Sequence, residues 1–495
     1  MRAVPFLITI LLGVRGFTQP VKDTLETAQS LVQQNQLIEA EKLLEAYHKT
    51  AGNPYSYQLH GQLLYWTRQS KKALGLYEKS IAQFPVSTFL RLDYGRTLFQ
   101  LGKLKQAKEQ LERYLQSDSL HAEAHIMLAY MEAWEGNAKA AQKRVNLLKK
   151  NYPANSSVKE LAHYYNQQFT KSISAAYTYL SDDQPLQSNQ FRAGYTAHHS
   201  ALFSPFISGS FAQFKKVPEG VSTAWVQAGN LWQFGFGSAK IRTAAGVFAN
   251  RQTGSLVTGE LSLRQKLSGA LSIDLAAVRQ PYQYTLSSVE NPFLYNAFSG
   301  ALQFDRKHVL GTAGAEVQSF NDGNKIATVY AWALFPLIKL DQFTLKAGYS
   351  YSYSNADRTS FAPAKTVAEA AQTQNLYTQI QGFYAPYFTP INQQVHALLV
   401  NIGARIHPNF RIQGSASFGF SASADNPYFL LEKRGNNFLI SRNFYQQAYT
   451  PVDVEIGMET ALSSPLSLQL KYKYSRLFFY TRNLASAQLN YRLIK

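Results

Sequence analysis

Histidine has the widest chemical reach of any side chain here, because it can ligate a metal or move a proton near neutral pH. Ten are present. His121 and His125 are spaced i, i+4, one turn of a helix, so two imidazoles could share an ion. They fall at a boundary between repeat units without an accompanying carboxylate-histidine motif, so no metal is expected there. His198, His199, His308, His396 and His407 could each act as the base of a Ser-His-acid set. No nucleophile elbow or other catalytic spacing surrounds them, so no catalytic residues and no enzymatic activity are expected. The sequence also has no phosphate-cradling glycine loop, metal cluster or flavin fingerprint, so no cofactor is expected. Cysteine is absent altogether. That removes disulfides, thiolate metal sites, a cysteine nucleophile and a lipoprotein's acylated cysteine.

The second chemistry is charge placed at every other position. Lys240, Arg242, Glu260, Arg264, Lys266 and Asp274 stand between apolar or small residues, and so do Lys346, Arg411, Gln413, Lys471, Lys473, Gln488 and Arg492. Asp453, Glu455 and Glu459 line a strand of opposite sign. Ladders of this kind can simply brace a wall, or they can set the selectivity of a pore. Residues 166–495 hold 28 Lys and Arg against 17 Asp and Glu, an excess of +11, while residues 20–165 hold 19 against 14. An anionic polymer or solute is therefore favoured over a cationic one. Nucleic acid is not an expected partner, because no compact basic cluster with interleaved aromatics occurs.

The elements that must position these charges are β-strands. From Ala239 to Gln280 every second residue is apolar or small, the stretches are about ten residues long, and small residues such as Ser268 and Gly269 separate them. A period of two puts one strand face in an apolar medium and the other in a polar one. Repeated without intervening helices, it predicts an antiparallel transmembrane β-barrel. Sixteen strands are expected near 172–180, 190–199, 205–215, 223–234, 239–250, 256–267, 270–280, 295–305, 308–319, 325–336, 343–353, 393–406, 410–422, 452–461, 466–476 and 484–493. Weaker stretches lie near 376–386 and 436–444, and the even-number rule leaves 14 to 18 open. The 31 Tyr and 31 Phe fit aromatic girdles. After the N-terminus no run of about 20 apolar residues would form a spanning helix. Asn321-Asp322-Gly323, Pro408-Asn409 and Ser463-Ser464-Pro465 are tight turns, while Pro281–Asn296 and Ser354–Asn375 are long, and Asp425–Arg442 looks like a loop. Tight turns are expected on the periplasmic side, which also puts the barrel's N-terminus there.

Residues 1–19 have the pattern of a signal peptide, with Arg2, an apolar stretch from Ala3 to Val14, and small residues at Gly16 and Thr18. Between them and the barrel the period changes to 33–34 residues. Gly61 and Gly95 are 34 apart, as are Ala73, Ala107 and Ala141, and Pro85 and Pro153 lie at twice that spacing. With Tyr57, Tyr77 and Ala129, these residues resemble the tetratricopeptide repeat family. Four units are expected, near 21–54, 55–87, 88–121 and 122–155, within a domain of 20–165 that precedes a barrel of 170–495. The resemblance implies an α-helical solenoid whose groove docks a periplasmic or inner-membrane protein, although such an array can also be a spacer.

Gly382-Phe383-Tyr384-Ala385-Pro386-Tyr387-Phe388 stands outside the alternation. It resembles a segment in the barrels of cellulose-synthase-type exopolysaccharide exporters, although an aromatic anchor at a membrane interface would look the same. Signal peptide, repeats and barrel in one chain fit that resemblance, whereas the exporters typically carry many more than four repeats. The same architecture is similar to YaiO-type outer-membrane barrels. The expectation is an outer-membrane channel for polysaccharide export with a periplasmic docking domain. The alternative is a non-transporting barrel that serves as a docking or assembly scaffold.

Overall fold

The computed structural model describes residues 19–183, 186–215, 220–250, 254–373, 378–435, 437–478 and 480–493, with backbone only at 19–23 and 373. The expected signal peptide lies outside the described residues except for Gln19. The chain divides into two compact units. One runs to Glu132 and includes Ala140–Leu161, and the other holds Ala133–Lys139 and the chain from Ala162 onward.

Helices pair as α1 (Gln19–Gln33) with α2 (Leu37–His48), α3 (Pro54–Trp66) with α4 (Ser70–Gln83), α5 (Thr88–Gln100) with α6 (Leu104–Leu115), and α7 (Ala122–Trp134) with α8 (Ala138–Asn151). Helix α9 (Ser156–Phe169) follows them. The repeat has a backbone origin as well as a packing one. Each hairpin turns through one residue of positive φ, at Asn35 (61°), Arg68 (64°), Gly102 (73°) and Gly136 (74°). Within the hairpins, small residues allow the helices to meet. A Cβ at Gly61 would collide with the Tyr77 ring, and one at Gly95 would lie 2.8 Å from the Leu111 side chain. Ala73, Ala107, Ala129 and Ala141 are buried, as are Tyr57 and Tyr77. Pro85 and Pro153 each stand two residues beyond a helix end, where a missing N–H costs no helical hydrogen bond. Helix α3 starts at a capping box in which Asn53 and Ser56 satisfy each other's backbone N–H, with Pro54 at the first helical position.

The second unit carries β1 (Ser172–Asp182), β2 (Gln187–Thr196), β3 (Pro205–Lys215), β4 (Val221–Phe234), β5 (Ala239–Asn250), β6 (Gly254–Lys266), β7 (Leu271–Pro281), β8 (Leu294–Arg306), β9 (Val309–Ser319), β10 (Lys325–Lys339) and β11 (Phe343–Ala356). Helix α10 (Leu286–Glu290) lies between β7 and β8. After β11 come short pieces: β12 (Phe361–Pro363), α11 (Val367–Thr373), β13 (Gln379–Ile380) and β14 (Gly382–Tyr384). The wall resumes with β15 (Gln393–His407) and β16 (Phe410–Arg434), and it ends with β18 (Val452–Ala461), β19 (Leu466–Arg476) and β20 (Thr481–Arg492). Each wall strand pairs antiparallel with the next, and β1 pairs with β20 from Ser172↔Arg492 to Asp182↔Arg482, so the sheet closes. The result is a closed barrel of 16 strands. Closure leaves no strand edge to lipid, the condition a spanning sheet must meet.

Two expectations about connections are corrected. Asp425–Arg442 is not a loop: β16 runs 25 residues from Phe410 to Arg434, turns at Gly435, and β17 (Asn437–Ala448) returns along it. Ala424, Phe429 and Leu431 are buried along this extension, and only Lys433-Arg434-Gly435 at the tip has loop chemistry. The tight turn Asn321-Asp322-Gly323 follows β9, so it lies at the same barrel end as the long connections 282–293 and 357–392. Local compactness sets a turn's geometry, whereas strand parity sets its side. Pro408-Asn409 and Ser463-Ser464-Pro465 do lie at the opposite end, where the chain enters β1.

Candidate functional site

The alternation puts large apolar side chains on the outer face. Ile207, Phe211, Val247, Val257, Leu261, Leu275, Phe298, Leu302, Ile402, Ile456 and Leu470 are all exposed, Val257 by 69%. Such exposure is unstable in water and stable against hydrocarbon. Their immediate chain neighbours carry the charges on the opposite face. Lys240 sits across from Arg264 and Arg242 across from Ser262, two residues along the strand from Glu260. Arg242 Nε donates to Glu260 Oε1 at 3.0 Å, with its guanidinium 3.8 Å from the Phe206 ring centre. Arg264 binds Asp274 through two bonds of 2.7 and 2.8 Å, and Gln303 adds a third donor to that carboxylate. Lys266 pairs with Ser272 across β6 and β7.

A second charged cluster faces the same side from the later strands. Lys471 Nζ lies 2.7 Å from Glu455, and Lys473 Nζ lies 3.7 Å from Asp453, which also accepts from Ser475. Arg411 stands between Arg405 on β15 and Glu459 on β18, and Lys346 stands opposite Asn401. These pairings brace neighbouring strands and also give the inner face a polar lining.

At the long-connection end that lining gives way to aromatic packing. Inward-facing Tyr295, Ala297, Ile326 and Ala356 are buried beneath Tyr282, Phe320 and Tyr387, with Phe293 and Ile391 packed alongside. Tyr387 is 1% exposed, stacks on Phe320 with ring centres 3.7 Å apart, and donates its hydroxyl to Asp322 at 2.6 Å. Connection 282–293 reaches far around the wall. Val289 of α10 packs with Ala212 and Phe214 of β3, its carbonyl accepts from Asn250 of β5, and Gln283 donates to Thr223 of β4. Tyr284 lies under the Arg482 guanidinium at 5.1 Å, on the last strand and half a circumference from β8. The two long connections also hold each other. Thr285 donates to the Pro386 carbonyl, and the Phe388 amide donates to the Tyr282 hydroxyl at 3.2 Å. They lie across the bore at this end. Burial raises the hydroxyl pKa of Tyr282, Tyr384 and Tyr387 above the ordinary phenol range, so these rings stay neutral.

The aromatic segment singled out in the sequence belongs to this closure. Gly382 pairs with Pro363 in the small β12–β14 ladder, and Tyr384 packs between Phe361 and Phe388. Phe383 is exposed, while Pro386 and Tyr387 supply the contacts just described. A cavity of about 420 Å³ opens beside them, lined by Phe361, Gly382, Phe383, Tyr384, Phe478 and the amides of Asn426 and Gln447. Tyr282, Tyr284 and Tyr295 lie within the long connection expected at Pro281–Asn296, and Phe320 stands beside the turn Asn321-Asp322-Gly323; nothing in the sequence pattern gives them a role. Their aromatic density was the available signal.

In the helical unit, His125 presents no open nitrogen: Nε2 lies 2.9 Å from the Ser119 carbonyl oxygen and Nδ1 lies 3.0 Å from Arg144. His121 Nδ1 faces the Ala124 amide at 3.4 Å. His198 bonds Ser204 at 2.6 Å, and His396 bonds the Tyr349 hydroxyl at 2.6 Å.

Residues 33–114 match the profile of a tetratricopeptide-type family described as "Anaphase-promoting complex, cyclosome, subunit 3". No curated protein matches the chain. Among solved structures it is similar to a "Bacterial polysaccharide outer membrane secretin", with 9% identity and a TM-score of 0.47, covering 66% of this chain and 99% of that one. It is also similar to YrrB, titled "a TPR protein with an unusual peptide-binding site", with 19% identity and a TM-score of 0.26, over 29% of this chain and 74% of that one. A tetratricopeptide repeat protein from Parabacteroides merdae shares 17% identity at a TM-score of 0.27, over 30% of this chain and 59% of that one. The chain thus joins a helical array of tetratricopeptide type to a closed, antiparallel, 16-stranded transmembrane β-barrel.

Proposed function

We propose that this chain is an outer-membrane conduit for polysaccharide whose outer mouth is held shut by its own loops. The observation that carries this reading is the mouth cavity, which sets four aromatic rings beside two amides at the end of a charged, polar lining. Sugar rings stack their C–H faces on aromatic side chains and exchange hydrogen bonds with amides, and a barrel of this strand number is wide enough for a channel. The basic excess of the barrel favours an anionic polymer. The short-turn end faces the periplasm, and the repeat domain of 20–165 lies there to dock a periplasmic or inner-membrane protein; the barrel of 170–495 sits in outer-membrane lipid.

Deleting the gene and assaying surface polysaccharide tests this reading. Loss of polymer from the surface is the expected result, and unchanged polymer refutes it. Planar-bilayer recordings of a loop-released variant should show anion preference, and cation preference would remove the anionic-polymer part. The second reading is a non-transporting scaffold of the YaiO type. The buried aromatic core that locks the two mouth connections together favours it. Its mark would be a barrel that conducts no ions even after those connections are released.

A further inference from the structure

Three acceptor groups meet between the first two helical hairpins. Glu41 and Glu45, one turn apart on α2, and His60 on α3 each bring a ligand atom to within 4.8 Å of the other two. Acidic pairs on helices are common and carry no meaning alone. The state of His60 sets this group apart, because the residue is only 4% exposed and its Nε2 has no hydrogen-bond partner.

The hydrogen-bond chain behind His60 fixes which nitrogen carries the proton. Ser56 donates its hydroxyl to the Asn53 carbonyl at 2.7 Å and accepts from the Asn53 amide at 3.0 Å. With its single proton committed, Ser56 Oγ can only accept from His48 Nε2, 3.1 Å away. His48 therefore carries its proton on Nε2 and offers a lone pair at Nδ1. His60 Nδ1 lies 3.3 Å from that lone pair and must donate to it. What remains on His60 is a bare, buried Nε2 lone pair, on a ring that brings a ligand nitrogen to within 4.8 Å of both carboxylates. Gln69 donates to both oxygens of Glu41, at 2.9 and 2.7 Å, and orients that carboxylate as an outer-shell partner would.

We propose that Glu41, Glu45 and His60 form a site for a divalent transition-metal ion of the zinc class, which would pin the first hairpin to the second. One imidazole nitrogen and two carboxylate oxygens suit zinc and its neighbours rather than magnesium or calcium, which prefer oxygen alone. Lys72, whose Nζ lies 4.0 Å from Glu41, brings one positive charge to the two carboxylates, and a divalent ion would supply the rest. The proposal is independent of the transport reading.

The test is equilibrium dialysis of the full chain in detergent against zinc chloride alone, followed by thermal melting of the helical signal with zinc and with chelator. The wild type should bind zinc and melt at a higher temperature with the ion than with chelator. Glu45 is exposed, so Glu45→Gln should fold as the wild type does while losing at least about tenfold in zinc affinity. His60→Gln should behave alike, with retention of the helical spectrum as its folding check. Absence of zinc binding by the wild type overturns the proposal. Equal affinity in a folded Glu45→Gln variant also overturns it, because the ion would then sit elsewhere.

Discussion

Tyr387 is the most deeply buried ring of the aromatic cluster at the long-connection mouth, and Tyr387→Ala tests its role in closure. Its ring is 1% exposed, stacked on Phe320 at 3.7 Å, with the hydroxyl on Asp322 at 2.6 Å. A buried aromatic side chain removes about 150 Å² or more from water, worth about 4 kcal/mol at roughly 25 cal/mol per Å². The charged hydrogen bond and the ring pair add to this, while partial collapse of the cavity subtracts. A net loss of about 4 kcal/mol shifts the balance between docked and released loop by about a thousandfold. The wall strands keep their ladders, so the barrel should still assemble and run folded on gels. In planar bilayers the variant should open frequently where the wild type stays shut, and protease should cut within 357–392. A variant whose loop is cleaved readily but whose conductance equals that of the wild type would refute the idea that these connections occlude the bore.

Gly61→Ala puts a methyl into the Tyr77 ring and should lower the stability of the helical unit by about 1–3 kcal/mol, seen as an earlier loss of helical circular dichroism. Arg68 holds a φ of 64° that glycine adopts freely, so Arg68→Gly should leave that melt unchanged or raise it by up to about 1 kcal/mol. A clear loss would show that the Arg68 side chain contributes more than its backbone costs. Leu261→Arg, mid-strand on the outer face, should cost about 2–4 kcal/mol in the refolding of the barrel into lipid, and a neutral result would mean that this face does not meet the bilayer core.

Both architectures were legible in the chain because each is written as a local period. Alternation of two follows from strand geometry alone, and it located the wall strands to within a few residues, those that carry Lys240, Arg242, Glu260, Arg264, Lys266 and Asp274 among them, except for the 12-residue continuation of β16 from Ser423 to Arg434. The repeat of 34 reflects one close helix contact and one left-handed turn per unit, at Gly61 and Arg68 and again at Gly95 and Gly102. The mouth was not legible. That Tyr284 meets Arg482 and Tyr387 meets Phe320 depends on closure bringing together segments with about 200 and about 70 residues between them, and no local pattern encodes such a meeting. The turn Asn321-Asp322-Gly323 shows the same division: its residues specify a tight reversal, but its side of the barrel depends on counting every strand before it. Glu41 and Glu45 look like an ordinary solvated helix face until α3 brings His60 against them. Composition and period therefore established the kinds of element and their order. Long-range packing, which buries groups according to neighbours distant in the chain, decided which side chains became available for chemistry.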